Sequence, residues 1–162
     1  MTKNNLYTTA KGSSSSTSTF DNTVISKRTA DLKIVWEIML GYVIQSNAFV
    51  LDSEEKYLYF AVFDNFNWYV GKMLASDGSI SSFFKSDSVF INFSLLTLSN
   101  NGTYIYVGGQ DSGTGSLITE LFSSNLAVSF SLKITETAPI SLESYYRNSV
   151  ERNILWTVYS TS

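Results

Sequence analysis

The stretch Leu98-Ser-Asn-Asn-Gly-Thr-Tyr-Ile-Tyr-Val107 decides the fold, because its pattern occurs a second time in the chain. Displaced by 47 residues it falls on Leu51-Asp-Ser-Glu-Glu-Lys-Tyr-Leu-Tyr-Phe60, with Leu51 on Leu98, Tyr57 on Tyr104, Leu58 on Ile105 and Tyr59 on Tyr106. Continued without a gap, the same register sets Asp64 on Asp111, Val70 on Leu117 and Leu74 on Leu121. A polar turn that runs into alternating aromatic and β-branched residues is the signature of a strand entered from a tight turn. Repetition of that signature at a fixed period marks a repeat architecture.

Partial copies lie on both sides. Leu6-Tyr7 matches Leu58-Tyr59, and Leu155-Trp156 matches it again downstream. Thr23-Val-Ile-Ser-Lys27 echoes Trp68-Tyr-Val-Gly-Lys72, while Leu32 and Trp36 pair with Ile80 and Phe84, and those with Leu126 and Phe130. The spacings of 46 to 48 residues divide the chain into 1–46, 47–92, 93–138 and 139–162. Within a whole unit the local signals predict four short strands, at 48–52, 57–63, 68–74 and 80–85, and again at 94–98, 103–109, 116–121 and 126–133. Asp77-Gly78 predicts a type I′ hairpin between the third and fourth strands, since that pair readily supplies positive φ.

Four antiparallel strands per repeat is the β-propeller blade. The fold expected is therefore all-β, with β-propeller-like four-stranded antiparallel blades, two full and two partial. A sandwich or open stack of sheets shares the same periodicity of short strands. The first unit holds strands two to four and the last holds strands one and two, so the chain is expected to be incomplete on its own. Closed propellers need about four to eight blades. The stretch from Leu98 to Gly109, followed by Gly115-Ser-Leu-Ile-Thr119, resembles the YVTN-type β-propeller repeats of surface-layer and secreted proteins. It departs from that family where Ala61-Val62-Phe63 replaces a small residue after the second strand. The resemblance implies a propeller fold and an extracellular or cell-surface setting.

Composition narrows the chemistry. The 162 residues include no Cys and no His, which removes disulfides, thiol or imidazole nucleophiles and the usual zinc ligands. A net charge of −3 disfavours an electrostatic grip on nucleic acid. No signal peptide is visible, and the longest apolar run, 34–44, falls short of the ~20 residues of a membrane helix, so no membrane insertion is expected. Ser, Thr and Asn supply one third of the chain, a turn-rich composition.

Carboxylates are then the plausible catalytic groups. Asp64 and Asp111 stand at equivalent repeat positions, with Asp21 near the same connection. Repetition favours turn-stabilising roles over an acid–base pair or a ring of calcium ligands, because catalysis breaks symmetry. No catalytic residue, metal site or cofactor is expected. The tract Ser13, Ser14, Ser15, Ser16, Thr17, Ser18, Thr19 reads as an insertion between second and third strands: Tyr7 to Lys27 is seven residues longer than Tyr59 to Lys72. It is a flexible loop or a site of O-linked glycans. Asn92 and Asn101 begin the triplets Asn-Phe-Ser and Asn-Gly-Thr and are candidate N-glycan acceptors. Phe63, Phe66, Trp68, Tyr69, Tyr145 and Tyr146 are the aromatics that could contact a partner or a sugar, with Phe66 and Trp68 the favoured contact surface. The function expected is a non-catalytic structural or interaction scaffold in a larger propeller or filament, its partners further copies of itself or the remaining blades of a longer chain, and glycans. The alternatives are a carbohydrate-binding module and a carboxylate- or calcium-dependent hydrolase or lyase.

Overall fold

The computed structural model describes residues 5–12, 22–41, 49–64, 67–86, 90–99, 101–111, 115–135, 141–146 and 156–160. Among them every regular element is a strand, and the strands pair antiparallel in chain order. The first sheet holds β1 (Leu6–Gly12), β2 (Asn22–Arg28) and β3 (Ile34–Leu40). The second holds β4 (Phe49–Leu51), β5 (Tyr57–Asp64), β6 (Asn67–Leu74) and β7 (Ile80–Lys85). The third holds β8 (Phe90–Leu98), β9 (Tyr104–Asp111), β10 (Gly115–Phe122) and β11 (Val128–Thr135). β12 (Ser141–Tyr146) and β13 (Trp156–Ser160) form a two-stranded sheet. The fold is all-β, built from propeller-like four-stranded antiparallel blades, none of which closes on itself.

Sheet register refines the repeat. Tyr7 pairs with Lys27 and Tyr59 with Lys72, so the seven extra residues of the first unit fall in the 13–21 connection, against the short 65–66 connection of the second. In the third sheet Tyr106 pairs with Glu120, not with Thr119. The offset is therefore 47 up to Asp111 and 48 beyond it, because the connection at 112–114 is one residue longer than that at 65–66. Val70 corresponds to Ile118 and Leu74 to Phe122, correcting the ungapped alignment. The fourth strands shift as well: Trp36, Ser82 and Phe130 lie opposite Lys27, Lys72 and Glu120. Each sheet carries a bulge at this point, between Lys27 and Arg28, Lys72 and Met73, and Glu120 and Leu121. A bulge adds a residue to one strand and increases twist, which hides the correspondence from residue counting.

The turns repeat too. Leu32, Gly78 and Leu126 occupy the same place in the hairpin between third and fourth strands, and all three have left-handed φ, at 65°, 78° and 62°. Asp77 does not share the positive φ, so the turn is not type I′. Leu74 N–H donates to the Ser79 carbonyl and Gly78 N–H to the Leu74 carbonyl, which makes a wider loop closed by one left-handed residue. Asp77 Oδ1 accepts Ser79 N–H at 2.8 Å and Asn125 Oδ1 accepts Ala127 N–H at 3.0 Å, the short polar side chain fixing each loop. At the preceding turn Glu55 and Gly102 are the left-handed pair.

The core runs through three sheets. Leu58, Phe60, Val62, Trp68, Val70 and Met73 of the second sheet are fully buried and join Ile25, Trp36 and Leu40 of the first and Leu96, Ile105, Val107, Leu117 and Leu121 of the third. Residues 58–62 and 68–73 are buried without alternation, so both faces of β5 and β6 are covered. This is the buried-strand pattern of a sheet held between two others. Gly71 lies across the ladder from Phe60, whose ring sits over it; a Cβ there would approach that ring to 2.0 Å. Gly71→Ala therefore forces a fully buried phenylalanine out of its place, and we expect a loss of about 2–3 kcal/mol in urea unfolding, the scale of an overpacked core. An unchanged midpoint would contradict the packing.

Candidate interaction seams and faces

The sheets meet at seams built to one plan. β2 and β6 each carry a lysine on the face turned to the next sheet, opposite a tyrosine of β1 or β5. Lys27 Nζ donates to the Ala75 carbonyl at 2.7 Å, and Trp36 Nε1 donates to the same oxygen at 3.1 Å. Trp36 lies over Gly78, where a Cβ would stand 2.9 Å from its ring. At the second seam Lys72 Nζ donates to the carbonyls of Ser123 and Ser124 at 2.9 and 3.1 Å, with the Tyr59 hydroxyl donating to Ser123 at 3.3 Å. Lys72 also stands 4.0 Å above the Tyr57 ring. An ammonium donates three hydrogen bonds and is attracted to an aromatic face, so a buried lysine is satisfied here without a carboxylate partner. The receiving turns are held alike: Ala75 N–H donates to the Lys56 carbonyl and Ser123 N–H to the Thr103 carbonyl, both at 2.9 Å.

Beside the first seam opens a cleft of about 680 Å³ lined by Asn5, Lys27, Ser53, Glu54, Glu55, Lys56, Leu74 and Ser76. Asn5 Nδ2 crosses it to Glu55 Oε2 at 3.1 Å. The Tyr7 hydroxyl is buried with no hydrogen-bond partner among the described residues; burial first, then the carboxylates of Glu55 and Asp52, raise its pKa. Among the described residues no three acidic side chains converge as cation ligands.

The far sides of the first and third sheets differ from the seams in exposure. On the first sheet, Leu6, Thr8, Val24, Ser26, Arg28, Glu37 and Met39 share the face opposite Tyr7 and Lys27 by register. Met39 is 68 % exposed, and Leu6, at the other end of this face, is exposed as well. Arg28 reaches Glu37 at 3.8 Å on this face. On the third sheet, Tyr106, Glu120 and Phe130 align across β9, β10 and β11 on the side away from the second sheet. Phe122, Phe130 and Leu132 on that side are exposed, Phe130 at 50 %.

The sites expected from sequence are distributed differently. Trp68 and Tyr69 are buried, Trp68 completely, so they offer no contact surface. The reason is that β6 is covered on both faces: Trp68 packs at 5.4 Å on Phe84 and Tyr69 at 5.4 Å on Phe83. Phe66 and the tract Ser13 to Thr19 lie outside the described residues, as do the side chains of Asp64, Asp111, Tyr145 and Tyr146. Asn92 lies within β8 opposite Gln110, beside a bulge. Asn101 is exposed in its turn, where Oδ1 accepts Ser99 Oγ–H at 2.7 Å and Thr103 N–H at 3.1 Å. The lysine–carbonyl seam was not foreseen, although Lys27 and Lys72 at matching positions after aromatic strands are its trace in the sequence. No protein-family model matches the chain, and no curated protein matches it in sequence.

Two outcomes test the second seam. Lys72→Met removes two charge-assisted hydrogen bonds at a buried site and should cost about 2 kcal/mol in denaturant unfolding; a neutral result would contradict the seam. Burial first, then Asp52, raises the Tyr59 pKa to about 12, against the usual 10.0, while the bond to Ser123 opposes the rise. Because the unfolded chain loses this proton first, the contribution of Tyr59 is intact below pH 10 and fades as pH rises toward 12. Tyr59→Phe should flatten the alkaline fall in melting temperature over that window; an unaltered profile would contradict it.

Proposed function

We propose that this chain is a non-catalytic structural scaffold, a unit of a larger propeller-like or filamentous assembly of the surface-layer repeat type, acting at the cell surface or outside it. The observation that carries this reading is the contrast between covered and open faces. The strands β5 and β6 of the second sheet are covered on both faces and only its outer strand β7 exposes apolar side chains, Ile80 and Phe83, whereas the first sheet leaves Leu6 and Met39 in solvent and the third leaves Phe122, Phe130 and Leu132. Contiguous exposed apolar side chains on a sheet face favour contact with further protein. The open faces belong to sheets whose other faces already take part in sheet-on-sheet packing, so the complementary partner is another sheet of the same kind. The turn-rich composition, the exposed Asn101 of an Asn-Gly-Thr triplet and the resemblance to surface-layer repeats support the extracellular setting.

The test is the size of the native particle. The protein extracted gently from its source cells should migrate in native electrophoresis well above its 18.1 kDa chain mass. A discrete particle of the single-chain mass would overturn the scaffold.

A further inference from the structure

The last strand of a sheet has a row of backbone groups outside the ladder, and folded proteins blunt such edges by shortening them or breaking them with bulges. Among the described residues this chain does so at every edge but one. β3, β7, β8 and β11 are each paired through a register shift, as are β12 and β13 with each other, and β4 is three residues long. β1 alone is long and regular. Its seven residues pair with β2 without a break, and no described strand pairs with its other side.

The two strands that match β1 are not open: β5 lies between β4 and β6, and β9 between β8 and β10. Asp52 N–H donates to the Tyr57 carbonyl at 3.0 Å and Ser99 N–H to the Tyr104 carbonyl at 2.8 Å. Tyr57, Tyr104 and every second residue after them therefore turn their backbone groups to the added strand. The corresponding residues of β1 are Tyr7, Thr9 and Lys11. Exposure agrees with this placement. Thr9, on the side turned to the second sheet, is exposed, while Ala61 and Gly108 at the same place are buried. Tyr7 is partly exposed where Tyr59 and Tyr106 are buried.

What fits this edge can be read from β4 and β8. Phe49, Val50 and Leu51 lie opposite Phe60, Tyr59 and Leu58, and Leu96, Thr97 and Leu98 lie opposite Val107, Tyr106 and Ile105. Both triplets set a β-branched residue across from the tyrosine and a leucine after it. The next residue is Asp52 or Ser99, whose side-chain oxygen accepts the N–H of Tyr57 at 3.1 Å or of Tyr104 at 3.0 Å. A second folded copy cannot supply such a strand, because its β4 and β8 are already paired within their own sheets. Nor can it present its own β1. The second sheet packs on the Tyr7 side of the first and reaches one strand further in, at β4, so the β5 that covers the second copy's β1 would collide with β4.

We propose that the inner edge of β1 binds an extended segment of a different polypeptide, paired antiparallel, that reads large apolar, β-branched, leucine, then Asp or Ser. Backbone hydrogen bonds to Tyr7 and Thr9 hold the segment and the triplet selects it, the mode of β-strand addition. This adds a class of partner to the scaffold reading without depending on the open faces that carry that reading.

The probe is a fluorescein-labelled peptide of residues 46–53, Ser-Asn-Ala-Phe-Val-Leu-Asp-Ser, added to the purified chain and followed by anisotropy. It should bind saturably, and hydrogen exchange read by NMR should slow at the Tyr7 and Thr9 amides but not along the outer edge β11. Methylating the peptide's valine nitrogen, which faces β1 in this pairing, should weaken binding about tenfold. Methylating its leucine nitrogen, which points away, should leave binding unchanged. Thr9→Pro removes an edge N–H and no bond to β2, so this variant should keep its circular dichroism and lose the peptide. No binding at millimolar peptide, equal binding by the two methylated peptides, or protection confined to another edge overturns the proposal. Protection of Tyr7 and Thr9 that grows with the concentration of the chain alone would assign the edge to a second copy and overturn it too. The scaffold reading fails separately, on a native particle of single-chain mass.

Discussion

A sheet whose two faces are both apolar can be stable only between two other layers, and the second sheet imposes this condition on the whole chain. Phe60 over Gly71, Trp68 against Phe84, and Met73 at the bulge leave no face of β5 or β6 suited to water. The hydrophobic effect is non-directional, so apolarity by itself would permit many stackings. Polar contacts at the rim select one: Lys27 and Trp36 converge on a single carbonyl, and Lys72 with Tyr59 converges on another.

These polar contacts work because the turns present their carbonyls in a fixed direction. A left-handed residue closes each loop between third and fourth strands, and an Asp or Asn side chain braces the loop in the second and third units. In the first, Asp31 takes a similar part by accepting the Thr29 hydroxyl. Leu32 and Leu126 adopt this conformation without being glycine, at a cost of about 1–2 kcal/mol each. For Leu126 the burial of its side chain in the core offsets that cost.

The repeat, the all-β class and the strands were legible in the sequence because period-two alternation and polar turns are local signals. The strands at 57–63 and 80–85 agree with β5 and β7 to within a residue. Register was less legible. One additional residue between Asp111 and Gly115 and an extra residue in the fourth strand of each unit (Val35, Ser81 and Ser129) move the true partners by one or two positions, while leucines at neighbouring places keep a false alignment plausible. The burial of Trp68 is hidden for a related reason: a sequence shows which residues share a side of a strand, but not whether a second layer covers that side. The role of Lys72 is not legible locally, because a lysine usually marks solvent and its burial depends on the carbonyls of Ser123 and Ser124, distant in the chain.

Gly78 limits how such units can be rearranged. It is left-handed like Leu32 and Leu126, but it alone of the three has the Trp36 indole resting on it, and no side chain would fit beneath that ring. The module that follows Trp36 must therefore bring a bare turn, and exchanging the second and third modules would place the leucine of Leu126 under the indole. Successive repeats of this chain are thus not interchangeable parts: each carries the imprint of its predecessor, and duplication of a module in evolution would need a matching change at the junction it creates.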